Sequence, residues 1–348
     1  MDSKVAVRRK DNVASAEAIE YETERLYQKL HSVGYELEDC RELAPLVAEI
    51  QRLKKERDIL VLCHHFMVPD LIQGIADVVA DASVLVESAR QSDKKNILVC
   101  AIKPLAEAVK IVNPQARVML PNASAGCSIA DGITAEDVRR LRAQYPGAAA
   151  VTYINSSAAV KAESDYVATS KNAKELLAKL PEKQILFYPD KAVAMNLQQE
   201  LPEKDIVVWN GKCIVHEEYT VERIVHFKKH NPDTHILFHS ECDPAVIPLG
   251  HMHGGTHAMM SYVKNHPEVE SFFMVTECGI ADTMRIAYPQ QKFIGTCALC
   301  PFMKSINLAN ALDILKGTST CGEIIELAPD VAQGAARAMD NMYRLVEC

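Results

Sequence analysis

From Ile59 to Thr296 the chain repeats one texture: a short run of β-branched and aliphatic residues, a few polar residues, then a stretch with apolar positions at helical spacing. The runs are ILVLCHH (59–65), NILVCAI (96–102), RVMLPN (117–122), AAVTYIN (149–155), YVATS (166–170), QILFYP (184–189), DIVVWN (205–210), THILFHS (234–240), SFFMVTE (271–277) and KFIGT (292–296). Near-continuous apolar runs suit strands buried on both faces, and their alternation with helical stretches predicts an α/β fold of parallel sheets with helices on both sides. Functional residues in such folds collect just past the carboxyl ends of strands. Upstream, ASAEAIEYETERLYQKLHSVG predicts a helix, and LAPLVAEIQRLKKERD predicts a second that resumes after Pro45; both read as outer helices.

The polar residues at the run ends recur at a fixed step. Cys127 (NASAGCS), Cys213 (WNGKCIVH) and Cys300 (GTCALCP) are 86 and 87 residues apart. Tyr153 precedes His239 by 86, Ser170 precedes Thr256 by 86, His64 lies 89 before Tyr153, and Ser83 lies 87 before Ser170. A recurring period marks duplicated units, and a unit of ~85 residues is larger than a solenoid repeat. The expectation is three small αβα domains about a pseudo-threefold axis. Their bounds are 57–130 for the first (completed by C-terminal helices in 303–348), 131–216 for the second and 217–302 for the third, with N-terminal helices in 1–56.

Length and composition agree with this division. A chain of 348 residues suits two or three domains of about 100–150 residues. A net charge of −8 spread along the sequence offers no basic stripe to a polyanion, which argues against nucleic acid as a partner. The first residues lack the apolar core of a secretory signal and carry too many acids for a transit peptide. No apolar run approaches the ~18 residues of a membrane span, so a cytoplasmic protein is expected. Eleven cysteines without an export signal point to reduced thiols or metal ligands, not to a disulfide framework.

A single cysteine is usually an ordinary buried thiol, and Cys63 and Cys100, inside apolar runs, read that way. Three cysteines at matched spacing, each in a turn, favour ligation. Three thiolates can hold zinc, or a [4Fe-4S] cluster with one iron left open as a Lewis acid. Cys297, three residues before Cys300, could be a spare ligand, a redox partner or inert. His64, His216, His239 and Glu241 lie beside run ends or cysteine turns, where an acid or base is useful. His239 and Glu241, two apart, share one face of a strand. His65, His226 and His266 read as structural histidines. The segment GHMHGGTHAMM could suggest a zinc site through His251, His253 and His257, but its place in the repeat favours an anion cradle at a helix start.

Taken together, CHHFMVPD, NASAGCS, VTYINSSAAVKAESDYVATS, YPDK, WNGKCIVHEE, HSECDP, GGTH, TECG and CALCPFMKSINL resemble the quinolinate synthase (quinolinate synthetase A) family of NAD biosynthesis, from about Val61 to Leu345. The resemblance implies three αβα domains around a central [4Fe-4S] cluster held by Cys127, Cys213 and Cys300. It implies condensation of iminoaspartate, supplied by an aspartate-oxidising enzyme, with dihydroxyacetone phosphate, giving quinolinate, phosphate and two waters. Implied substrate-binding positions are His64, Tyr153, Asn155, Ser170, His216, His239, Glu241 and Thr256, with Ser83 or Ala82 at the first domain's serine position; His64, His216, His239 and Glu241 carry the catalytic roles. Two departures stand out: Phe66 replaces the family's tyrosine after the first strand, and Pro104-Leu105-Ala106-Glu107-Ala108 replaces a Phe-Met-x-Glu-Thr string. Phe66 and Ala82 keep open a paralogous iron–sulfur hydro-lyase acting on another small carboxylate; a non-enzymatic iron–sulfur sensor is the other alternative, and the convergent His, Glu, Asn and hydroxyl set argues against it.

Overall fold

The computed structural model describes residues 15–295 and 298–346. Cys297 and its relation to Cys300 lie outside the described residues, as does Cys348. Each of the ten apolar runs contains a strand, shorter than its run because the polar tail leaves the ladder. The strands are β1 (Ile59–His64), β2 (Val78–Ala80), β3 (Asn96–Cys100), β4 (Arg117–Leu120), β5 (Ala149–Tyr153), β6 (Tyr166–Ala168), β7 (Gln184–Tyr188), β8 (Asp205–Val208), β9 (His235–His239), β10 (Met252–Gly254), β11 (Ser271–Val275), β12 (Lys292–Ile294) and β13 (Glu323–Ile324). Three of these, β2, β10 and β13, were not expected.

They form three sheets with one topology. The orders are β2-β1-β3-β4, β6-β5-β7-β8 and β10-β9-β11-β12, all parallel, and antiparallel β13 extends the first sheet beside β4. In each, the chain runs from the first strand outward to the second, then returns across the first to the third. The switch point between first and third strands opens a crevice at their carboxyl ends, where such sheets place ligands. His64, Tyr153 and His239 are the last residues of β1, β5 and β9.

The expected break at Pro45 is absent: one helix runs Leu37–Arg57 through it, started by a capping box of Glu36 and Asp39. That helix packs on the N-terminal helix Ala16–Leu30 and on Leu308–Lys316. The C-terminal stretch divides its packing. Leu308–Lys316 and β13 lie against β4 of the first sheet, whereas the last helix, Pro329–Leu345, lies against Ala158–Ala162 and β6 of the second. Among the described residues no helix is long and apolar enough to cross a membrane.

Candidate active site

The three switch points face one cavity of about 70 Å³. Its wall includes Cys127, Cys213 and Cys300, one following the fourth strand of each sheet. It also includes His64, Tyr153, Asn155, Ser170, His216, His239, Glu241 and Thr256. A second, more open cavity of about 340 Å³ shares Cys213, His216 and Glu241 with the first.

Backbone hydrogen bonds fix two imidazoles. The Phe66 N–H donates to Nδ1 of His64 at 3.2 Å, and the Glu241 N–H donates to Nδ1 of His239 at 3.3 Å. A backbone N–H can only donate, so each Nδ1 is the acceptor and each neutral ring carries its proton on Nε2. Burial, and then the neighbouring His65, pull His64 down to about 3; burial also pulls His239 down to about 4, against the opposing charge of Glu241. Both are neutral donors near pH 7. The ring of His239 stacks on that of His216, centroids 4.8 Å apart.

His216 joins the third sheet to a cysteine turn. Its Nε2 lies 2.9 Å from Thr276 Oγ1, and its Nδ1 lies 3.2 Å from both Cys213 Sγ and Glu241 Oε2. Burial works to raise the Glu241 carboxyl, but His216 and His239 outweigh it and hold the group below the usual carboxylate range. The Asn155 amide donates to its other oxygen at 3.3 Å. Tyr153 is buried, and burial together with the charge of Glu241 pushes its phenol well above its ordinary value; its hydroxyl also meets Ser170. Burial pushes the Cys127 thiol up to about 12 and raises Cys213 and Cys300 too.

Thr256 opens the helix Thr256–Asn265, with Gly255 as N-cap. A Cβ on Gly255 would lie 2.4 Å from Ser170 Oγ, so only glycine lets this helix start close on the second sheet's hydroxyl. The nearby histidines point elsewhere: His251 accepts from the Ile236 N–H, and His253 pairs with Glu200.

In the first sheet, Ala82 lines the cavity and Ser83 is not among its lining residues. Ala82 is the first residue of its helix, as Thr256 is of its own. Ser83 turns back to Asp81 Oδ1 at 2.7 Å. Phe66 stands where the other units have Asn155 and Glu241, two past the strand end, with its ring edge-on to His64 at 4.6 Å. His65 does not line the cavity, and its Nδ1 is buried without a hydrogen-bond partner. Asp81 and Glu277 also line the cavity and were not singled out from the sequence. Glu277 carried the signal that marked Glu241, an acid at the end of an apolar run; Asp81 is the N-cap of the helix Ala82–Gln91.

Known proteins share this sequence over nearly its whole length. Residues 48–344 match the family described as NadA: Quinolinate synthetase A protein. The chain belongs to the quinolinate synthetase A family. A quinolinate synthase of Sinorhizobium medicae (strain WSM419) is 37% identical over 336 residues, 97% of this chain and 92% of that protein. Quinolinate synthase 2 of Mesorhizobium japonicum is 37% identical over 292 residues (83% and 88%), and the Xylella fastidiosa (strain 9a5c) quinolinate synthase is 36% identical over 299 (86% and 87%). Membership makes the chain an enzyme of NAD biosynthesis acting on small molecules. Among the described residues, Cys213, His216 and Glu241 are the group of potential ligands whose atoms lie within 4.8 Å of one another.

Proposed function

We propose that the protein condenses iminoaspartate with dihydroxyacetone phosphate to quinolinate, in a cavity enclosed by three αβα units about a pseudo-threefold axis, with a [4Fe-4S] cluster held by Cys127, Cys213 and Cys300. One observation carries the reading: three thiols, one after the fourth strand of each sheet, open into the same cavity as the switch-point side chains.

The donor set fits a cluster. Cys127, Cys213 and Cys300 come from three different turns around one cavity and offer it three soft sulfur donors, a set that suits an iron–sulfur cluster. When bound, the cluster supplies an open iron that acts as a Lewis acid toward a carboxylate or hydroxyl oxygen.

The protein's own residues do the rest. His64 and His239 present Nε2–H donors to carbonyl or carboxylate oxygens, and the Tyr153 phenol stays protonated as a third donor. Glu241, steered by Asn155 and His216, accepts protons from the condensing carbon and nitrogen centres. Ser170, Thr256 and the first N–H groups of the helix Thr256–Asn265 hold phosphate or carboxylate oxygens.

Anaerobic purification, iron and sulfide analysis and a quinolinate assay test this. Alanine at Cys127, Cys213 or Cys300 should each abolish the brown absorbance and quinolinate formation. Unchanged iron in any of the three variants would remove that ligand, and stoichiometric zinc without iron would favour a mononuclear site at Cys213, His216 and Glu241.

A further inference from the structure

We infer that Glu277 and Lys304 form a buried ion-pair clamp that positions the ligand Cys300, and that this pair, not the Cys300 turn itself, sets how firmly the third thiolate is held. The inference rests on the cluster reading above.

Glu277 is 1% exposed and sits just past the end of β11. Its carboxylate ties three segments together. Oε1 accepts the Cys300 N–H at 3.3 Å and lies 3.0 Å from Lys304 Nζ, while Oε2 accepts the Gly279 N–H at 2.7 Å. Cys278 Sγ lies 3.8 Å from Oε1. Lys304 closes the clamp by donating to the Phe66 carbonyl, beyond the end of β1. The turn that carries Cys300 is thereby fastened to the third sheet by Glu277 and to the first by Lys304.

The place is unusual for a carboxylate. Glu277 lines the same cavity as the three thiols, where thiolates would add negative charge. An acid there is tolerable only with its cation in place, because an unpaired buried charge carries a large desolvation cost. Gly279 makes room for the pair. A Cβ at Gly279 would lie 2.9 Å from Glu277 Oε2, 2.9 Å from the Phe66 carbonyl and 3.0 Å from Lys304 Nζ. Glycine is otherwise a poor choice at the start of the helix Gly279–Ala287.

The two partners carry opposite charge beside one metal centre, and nearby charge shifts a cluster's reduction potential. A purely structural role predicts no particular sign; the clamp does. Glu277→Gln, Lys304→Met and Gly279→Ala are compared with wild type after anaerobic reconstitution, measuring iron per chain, the rate of iron loss to an excess of bipyridyl, and the cluster midpoint potential. Expected are at least tenfold faster iron loss in all three variants, a higher potential in Glu277→Gln and a lower one in Lys304→Met. Wild-type rates of iron loss in Glu277→Gln and Lys304→Met, or potentials moving in the same direction, would overturn the clamp. Gly279→Ala pushes a Cβ against both partners and the Phe66 carbonyl: faster iron loss supports the clamp and unchanged iron loss counts against it, while apoprotein thermal melts of all three variants identify general misfolding. Wild type that takes up no iron refutes the cluster reading instead.

Discussion

Replacing Lys161 by methionine should leave stability almost unchanged at neutral pH and cost several degrees of melting temperature in alkali. Lys161 is fully buried in the short helix Ala158–Ala162, and its Nζ donates to the carbonyls of Ile154, at 2.8 Å, and Ser156. Those carbonyls flank Asn155, whose amide reaches Glu241. Among the described residues no carboxylate lies within ion-pair distance of the ammonium. Methionine keeps the stem's volume but orphans two buried carbonyls, at about 1–3 kcal/mol each. It also removes a buried charge: burial pulls Lys161 from 10.5 to about 8, a difference worth about 3 kcal/mol against the folded state at pH 7. The two effects nearly cancel there. The sign of the pH dependence follows from proton counts. Between pH 8 and about 10.5 the folded state has released the proton and the unfolded chain still holds it, so wild-type stability rises through this window and the variant's does not. The gap should widen by about 3 kcal/mol, or ~4 °C for a cooperative transition of this size. Thermal melts of both proteins from pH 7 to 10.5 read it directly, and a constant gap would refute a buried ammonium. Asn155, released from its strut, should bind substrate worse even at pH 7, raising KM.

Asp190 gives the mirror case. It caps the helix Lys191–Glu200 through Oδ1 on the Val193 N–H, while Oδ2 is buried without a partner. Burial, and next the charge of Glu241, push this carboxyl well above its usual range. The folded state therefore holds a proton that the unfolded chain loses near pH 4, and stability from this group falls as pH rises. Asp190→Asn keeps the cap and cannot ionise, so its melting temperature should match wild type near pH 4 and exceed it at pH 8; an equal gap at both would exclude the effect. Phe66→Tyr adds a phenol to the cavity wall beside His64. If proton transfer at this position limits turnover, kcat for quinolinate should rise at least tenfold, within the ~10²–10⁴ that general acid–base help can supply; an unchanged kcat would show that the reaction proceeds without that hydroxyl.

The ten runs were legible because most of their strands are buried on both faces, which writes a near-unbroken apolar string; β8 and β12 are the partly exposed exceptions. The strands β10 and β13 were not, because Met-His-Gly and Glu-Ile write no apolar string, and β2, as short as the legible β6 and β12, was missed. Pro45 misled for another reason. The helix Leu37–Arg57 gains its start from the capping box and its hold from packing on two other helices, enough to carry a proline whose missing N–H costs one turn its hydrogen bond. At the site, the residues that the period of 86–89 set in register line one cavity, Ser83 excepted. One residue matters at a helix start, where successive side chains are turned by about 100°: of the two positions left open in the first unit, Ala82 lines the cavity and Ser83 does not.

The cavity is lopsided. The second and third units present Asn155, Ser170, Glu241 and Thr256, whereas the first presents Phe66, Ala82, Ile102 and Leu105 beside His64. Phe66, Ile102 and Leu105 belong to the hydrophobic core as well as to the cavity wall, so the first wall is packed from behind. Beside Asp81, His64 is the polar group that this largely apolar first wall presents, its tautomer fixed by the backbone N–H of Phe66 itself. That bond is made by the main chain and survives any side chain at position 66. Phe66→Tyr should therefore add a phenol without moving the imidazole, so a change in kcat in that variant reports on the hydroxyl and not on a displaced His64.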